Sequence, residues 1–451
     1  MTCFVLYVWL SINVMIADKD SLTYKKIFIF WVPLAATWLM MATEGPFTAA
    51  VIARLSDPMY NLAAYGVAFS FAILLEAPII MIMSASTALV KDKDSYLKLR
   101  NFTFVANGII TLVMILFVIP PVFFFITQSL IDLPDVVARL THQACLIFLP
   151  WPGAIGYRRF YQGILIRSNR TRRVAYGTVI RITSMIMVAS TCYLFFDLEG
   201  AIVGAIGLVC GVTAEAVASR LMAAGSVEQL LNAPPVQISP PLSYGSITKF
   251  YYPLALTSVL ALGVHPMVTF FMGQSRMPIE SLAVLPVVNS LVFVFRSMGL
   301  SFQEVGIALM GERNQNFTVL RNYTILLGIA VTVVLSVVTF TPLSVVWFQK
   351  ISGLSLELTF FARAPAQILT LMPALSVLIS FQRSIMVNSK KTTPITIATA
   401  IEVLGIMAVL YLATQVFGVI GAVGAATSLM LGRLIANSYL FHSCAKTLKN
   451  T

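Results

Sequence analysis

Twelve long apolar stretches follow one another along this chain, at roughly 26–54, 61–90, 101–127, 138–165, 174–196, 199–225, 247–273, 279–310, 321–347, 356–388, 394–416 and 418–444, with short polar connections between them. Each is about the length a helix needs to cross a ~30 Å hydrocarbon core. Inside lipid the backbone must satisfy its own hydrogen bonds, which leaves helices and closed barrels as the only spanning structures. A barrel would be written in short segments of alternating polarity, and these do not dominate here. Apolar residues make up 58% of the sequence and charged ones 11%, against about a quarter charged in an ordinary soluble domain. The expected fold class is therefore an all-α membrane protein of twelve transmembrane helices.

The remaining charges are placed asymmetrically. With the first span leaving the cytoplasm, the inner segments carry 18 lysines and arginines and the outer loops 4. The positive-inside rule then puts both termini in the cytoplasm of a multi-pass protein of the cell membrane. The same asymmetry accounts for the net charge of +12 without a nucleic-acid partner. Five scattered cysteines include no CxxC, and three histidines show no metal spacing, so no metal and no other cofactor is expected. HExxH, Walker and GxSxG motifs are missing, and the chain is not read as an enzyme. Residues 1–25 are read as an N-terminal extension, whose apolar start lacks the basic residues of a signal peptide.

Two Pro-Pro pairs in NAPPVQISPPLSYG cannot continue a helix, and residues 232–246 are read as a cytoplasmic linker between an N-lobe at 26–231 and a C-lobe at 247–451. The halves look related. FWVPLA at Phe30–Ala35 matches FYYPLA at Phe250–Ala255, 220 residues on, and Pro46 matches Pro266 at the same distance. Near the fourth and tenth spans the distance is 221, pairing Pro152 with Pro373, Phe160 with Phe381 and Thr171 with Thr392. In the last span of each half, GAIG at Gly204–Gly207 matches GAVG at Gly421–Gly424. Six spans per half in the same orientation make a parallel repeat, an arrangement found in transporters.

RRFYQGILIRSNRTR, the six-plus-six repeat and GAIVGAIG resemble the exporter superfamily of multidrug and toxic compound extrusion (MATE) transporters and lipid-linked flippases. Within it, LAAYGVAFSFAILLEAP and FYYPLALTSVLALGVHP are most similar to the progressive ankylosis proteins. The resemblance implies two six-helix bundles forming a V that opens alternately to each side, export from the cytoplasm, and small polyanions such as pyrophosphate, citrate or nucleotides as cargo. Multidrug members couple export to protons or sodium through a membrane-embedded acidic residue. No aspartate falls in any expected span here, so that role could pass only to a glutamate.

Charged groups in lipid are costly, about 3 kcal/mol or more at the bilayer centre, and normally face a cavity or a partner. Eight arginines and five glutamates fall in the expected spans. Arg158, Arg220, Arg363, Arg433, Glu215 and Glu402 lie near helix ends or close to opposite charge, where snorkelling or local pairing explains them; Glu215 with Arg220 is one such local pair. Arg159, Arg296 and Arg383, with His265, are the expected substrate-binding residues. Arg159 and Arg383 fall near the cytoplasmic mouth and Arg296 deeper. Glu44, before the helix-breaking Gly45-Pro46, and Glu76, repeat-equivalent to Arg296, are the expected ion-coupling residues. More buried arginines than carboxylates favour an organic or phosphate-containing anion, because guanidinium forks bind such groups bidentately. The expected function is alternating-access export of a small anion by a monomer in the bilayer, with proton or sodium coupling. A coupled exporter of cationic drugs and a flippase for a lipid-linked precursor are the alternatives.

Overall fold

A computed structural model describes residues 22–168, 170–232, 242–311, 314–389, 391 and 393–449. The described residues form helices joined by short turns, with no β-strand among them. Most of the N-terminal extension and of the 232–246 linker lies outside the described residues. Ten helices are long and apolar enough to cross a membrane: Tyr24–Ile52, Pro58–Glu76, Lys93–Phe117, Arg172–Phe195, Gly200–Asn232, Tyr244–Gly273, Pro278–Leu309, Phe317–Phe340, Leu356–Asn388 and Thr393–Val416. These are spans one to three and five to eleven. The fourth and twelfth are helical too, but more polar. The fourth is divided at Pro150 into Asp135–Ile147 and Trp151–Arg167 and carries Arg139, Arg158 and Arg159. The twelfth is one helix, Gly421–Lys449, containing Arg433.

The repeat is visible in the backbone. The first span is interrupted at Thr43 and the seventh at Gly263, 220 residues later. Asp57 and Met277, also 220 apart, both take positive φ, 44° and 53°. π-Helical turns at Phe125–Leu130 and Val346–Ile351 lie 221 residues apart. Each is followed by a left-handed residue, Asp132 at φ 64° and Gly353 at φ 80°. The amide of Leu133 then donates to the Thr127 carbonyl and that of Leu354 to Phe348, both at 2.9 Å. Few residues other than glycine, asparagine and aspartate adopt such φ values, so paired occurrences mark shared backbone geometry.

In the last span of each half the registration differs from the sequence match. A Cβ added at Gly211 would stand 2.8 Å from the Arg181 carbonyl, and one at Gly432 would stand 3.0 Å from that of Glu402. Gly211 and Gly432 are 221 apart, as are Arg181 and Glu402. The GAIG–GAVG pairing is therefore one helical turn out. Small residues recur every three or four positions along these helices, where they let membrane helices approach closely, so a shift of one turn preserves most of the match.

Packing divides the chain into two compact units: one runs to Pro46 and resumes at Leu285, the other is Phe47–Val284. Relative to the repeat halves, the starting spans are exchanged. Trp31 on the first span donates its indole N–H to Ser301 Oγ at 2.8 Å and to the Met298 carbonyl at 3.2 Å, on the eighth. Tyr251 on the seventh donates its hydroxyl to the Pro78 carbonyl, after the second span. These contacts are repeat-equivalent, since Trp31 and Tyr251, like Pro78 and Met298, are 220 apart. Ile27, Trp31 and Ala35 join Phe302, Leu320 and Phe381 in the core of the first unit.

Outside the spans, the third helix is capped by Asp92. Its carboxylate accepts from the Ser95 amide at 2.9 Å, while Ser95 Oγ accepts from the Asp92 amide at 2.9 Å. Hydrogen bonds from the Ser95 side chain and backbone hold the Asp92 carboxyl below the usual carboxylate range. A depressed carboxyl stabilises the fold above its unfolded pKa, and the contribution is lost as pH falls through the folded value. Asp92→Ala is expected to cost about 1 kcal/mol at neutral pH. Melting in detergent should show this deficit at pH 7 and a smaller one near pH 3.

Candidate functional site

In the Phe47–Val284 unit, the break at Pro150 places Trp151 at the start of a helix, and its indole N–H donates to Glu76 Oε2 at 2.6 Å. Arg158 and Gln162, four residues apart on that helix, share one face. Arg158 donates to Glu215 Oε2 on the sixth span, and Gln162 donates to Oε1 of the same carboxylate at 2.9 Å. Arg181 Nη1 on the fifth span lies 3.9 Å from Oε2. One carboxylate, 1% exposed, therefore ties three helices together. Arg159 points elsewhere. Its Nη1 contacts Met83 Sδ at 3.7 Å, and its buried Nε has no hydrogen-bond partner. The charges acting on Glu76 are Arg158, Arg159 and Arg181.

In the other unit, Arg433 Nε on the twelfth span lies 2.7 Å from Glu402 Oε1 on the eleventh. Arg296 Nε on the eighth donates to Ser376 Oγ at 3.3 Å, and Arg383 Nη2 on the tenth donates to Thr399 Oγ1 at 3.4 Å. Arg383 Nε is buried without a partner. Arg433 and Glu402 are the charges acting on both Arg296 and Arg383. Equivalent positions carry opposite signs: Glu76 and Arg296 are 220 residues apart, and Arg181 and Glu402 are 221 apart. Gln162 occupies the place of Arg383.

The eight intramembrane arginines are thus sorted. Arg158 and Arg181 meet Glu215, and Arg433 meets Glu402. Arg220 lies over the Tyr161 ring at 5.2 Å and Arg363 over Phe360 at 4.7 Å, both cation–π distances. Arg159, Arg296 and Arg383 form no ion pair among the described residues. They are the three that the sequence singles out.

Two local expectations are corrected. Arg158 does not snorkel, being 4% exposed and paired with Glu215. Glu215 does not pair with Arg220, because five residues along a helix turn side chains roughly 140° apart. Trp151, Gln162, Met83, Ser376 and Thr399 escape a sequence reading, since nothing local marks their distant contacts. Only the WP pair opening a helix draws attention to Trp151.

Glu44 is 9% exposed and opens the helix Glu44–Ile52. A Cβ on the adjacent Gly45 would stand 3.0 Å from Ser290 Cβ on the eighth span, the helix of Arg296. His265 lies on an exposed position of Val264–Gly273, in the other unit. It is not among the charges acting on Glu76. Among the described residues, no group of histidine, cysteine and acidic side chains could hold a metal ion.

No family model matches this sequence, and no curated protein does. Solved structures do match. An inward-facing multidrug-resistance MATE transporter of the MOP superfamily is 13% identical, with 98% of each chain covered and a TM-score of 0.68. The lipid II flippase MurJ in an inward closed conformation is 16% identical, covering 93% of this chain and 89% of that one, at 0.67. A Pyrococcus furiosus MOP-superfamily transporter, described as having a binding pocket of reversed polarity, is 12% identical over 96% of this chain and 100% of its own, at 0.62. The fold is that of the MATE and MOP-superfamily transporters. With the ten apolar helices, this makes the chain a multi-pass, all-α membrane protein of two pseudo-symmetric six-helix bundles.

Proposed function

We propose that this chain exports a small organic or phosphate-containing anion by alternating access, with Arg159, Arg296 and Arg383 as its anion-binding groups. The observation carrying this reading is the sorting of the arginines: five are occupied by carboxylates or rings, and these three retain guanidinium groups without an ion pair. In a low-dielectric interior such charge favours a ligand that brings the missing negative groups. Planar guanidinium forks match carboxylate and phosphate oxygens. Glu44 and Glu76 are the proposed ion-coupling groups. Glu76 stands among three arginines, so its protonation would raise the positive surplus around Arg159 and favour anion binding. A cationic cargo is less well served by this charge balance. The likeness to MurJ supports a lipid-linked anion as the second reading. We retain His265 as a substrate-binding candidate on the outer part of the seventh span.

Uptake into proteoliposomes, comparing small organic anions, pyrophosphate and lipophilic cations with and without proton or sodium gradients, tests the reading. Anion uptake driven by a gradient is expected. Preference for a cation, or transfer restricted to a lipid-linked anion, would replace it with one of the alternatives.

The proposed orientation, with cytoplasmic termini and twelve crossings, has its own test. In a background lacking the five native cysteines, single cysteines at Ser56 and Gln415 are expected to label from outside, and those at Lys93 and Lys391 from inside. Labelling from the opposite sides would invert the topology.

A further inference from the structure

We propose that Glu402 sets the valence of the anion accepted by Arg296 and Arg383: by neutralising Arg433 it leaves a local surplus of two positive charges, and the matching ligand is a small dianion such as a dicarboxylate or a doubly ionised phosphate. This rests on the reading of these arginines as anion-binding groups. The local set is three guanidinium groups and one carboxylate. Glu402 is 8% exposed and engages Arg433 at 2.7 Å, on the helix packed against its own at Gly432. Arg296 and Arg383 are held only by hydroxyls, at 3.3 and 3.4 Å. Both distances are long for hydrogen bonds to a charged donor, so a charged acceptor can replace the hydroxyls. The buried, unpartnered Nε of Arg383 is a further open donor.

Away from bulk water, charge mismatch is costly in both directions. A monoanion leaves one guanidinium uncompensated, and a trianion brings a carboxylate without a partner. The other unit differs. Around Arg159, two carboxylates, Glu76 and Glu215, face three arginines, leaving a surplus of one. Glu402 stands at the repeat position of Arg181, so the sign reversal there contributes to the difference between the units.

The test is a charge ladder in proteoliposomes, with succinate uptake competed by butyrate, succinate and tricarballylate at a pH where all are ionised. Arg433→Gln leaves a surplus of one, Glu402→Gln a surplus of three, and the two together a surplus of two. Wild type and the double variant are expected to prefer succinate. Tricarballylate should gain roughly tenfold over succinate in Glu402→Gln, and butyrate roughly tenfold in Arg433→Gln, the scale of one charge-assisted contact. The double variant leaves no buried partner behind, so it is read even where a single variant fails to assemble. An unchanged preference order in an assembled single variant, or a double variant that abandons succinate, overturns the proposal. Absence of any anion uptake by the wild type overturns the underlying anion reading instead.

Discussion

Glu215→Ala is expected to destabilise the protein by about 3–5 kcal/mol, the usual cost of removing one partner from a buried ion pair. The carboxylate accepts from Arg158 and Gln162 and lies 3.9 Å from Arg181. Without it, a guanidinium that is 4% exposed and an amide that is 3% exposed lose their acceptor together. Melting in detergent should show a fall of several degrees and less folded protein at matched expression. Adding Arg158→Met should recover most of the loss, because replacing both members of a buried pair with apolar groups is often neutral. A single variant as stable as wild type would mean that lipid or water already satisfies Arg158.

The second large effect concerns transport. Arg296→Gln and Arg383→Gln are each expected to weaken apparent anion affinity by about tenfold to a hundredfold, the equivalent of one charged hydrogen bond worth roughly 1.5–3 kcal/mol. Neither side chain has a carboxylate partner whose charge the change would strand, so folding should be largely spared. Lysine should restore only part of the affinity, because it keeps the charge and loses the planar fork. Arg159→Gln should behave similarly, with a smaller effect where Glu76 already offsets the local charge. The readout is the KM for anion uptake at matched expression. Unchanged KM in all three variants would leave these arginines without a role in binding.

The fold was readable because lipid imposes a strong, one-dimensional signal. A helix that must bury itself in hydrocarbon announces its length, and arginine and lysine announce its direction. The repeat was readable wherever backbone breaks coincide with proline, as at Pro46 and Pro266. The exchange of the first and seventh spans was not readable. Trp31 reaches Ser301 across 270 residues, and an apolar helix surface carries no address for its partner. The slip in the GAIG pairing has a related cause, since a periodic pattern of small residues matches itself at every turn.

For the site, Arg159, Arg296 and Arg383 stood out because arginine in lipid is always conspicuous. Sorting them from Arg158, Arg181 and Arg433 required three dimensions. Arg158 and Arg159 are neighbours in sequence, yet about 100° of helical rotation sends one to Glu215 and the other to Met83. Gln162 was invisible for the same reason, as its importance comes from an acceptor 53 residues away.

The paired left-handed turns at Asp132 and Gly353 have a consequence for the history of the chain. The two halves meet the same backbone demand with different residues, so each half records what the other could have become. Gly353→Asp is therefore a substitution the molecule has already tried on its other copy, and it should be accepted. A β-branched residue, found at neither position, should not be. Carried around the whole repeat, the comparison separates two kinds of inheritance. Features present twice, such as the π-turns and the interruptions at Thr43 and Gly263, belong to the duplicated scaffold. Reversals such as Glu76 with Arg296 and Arg181 with Glu402 mark where the two copies, freed from doing the same work, took up different work.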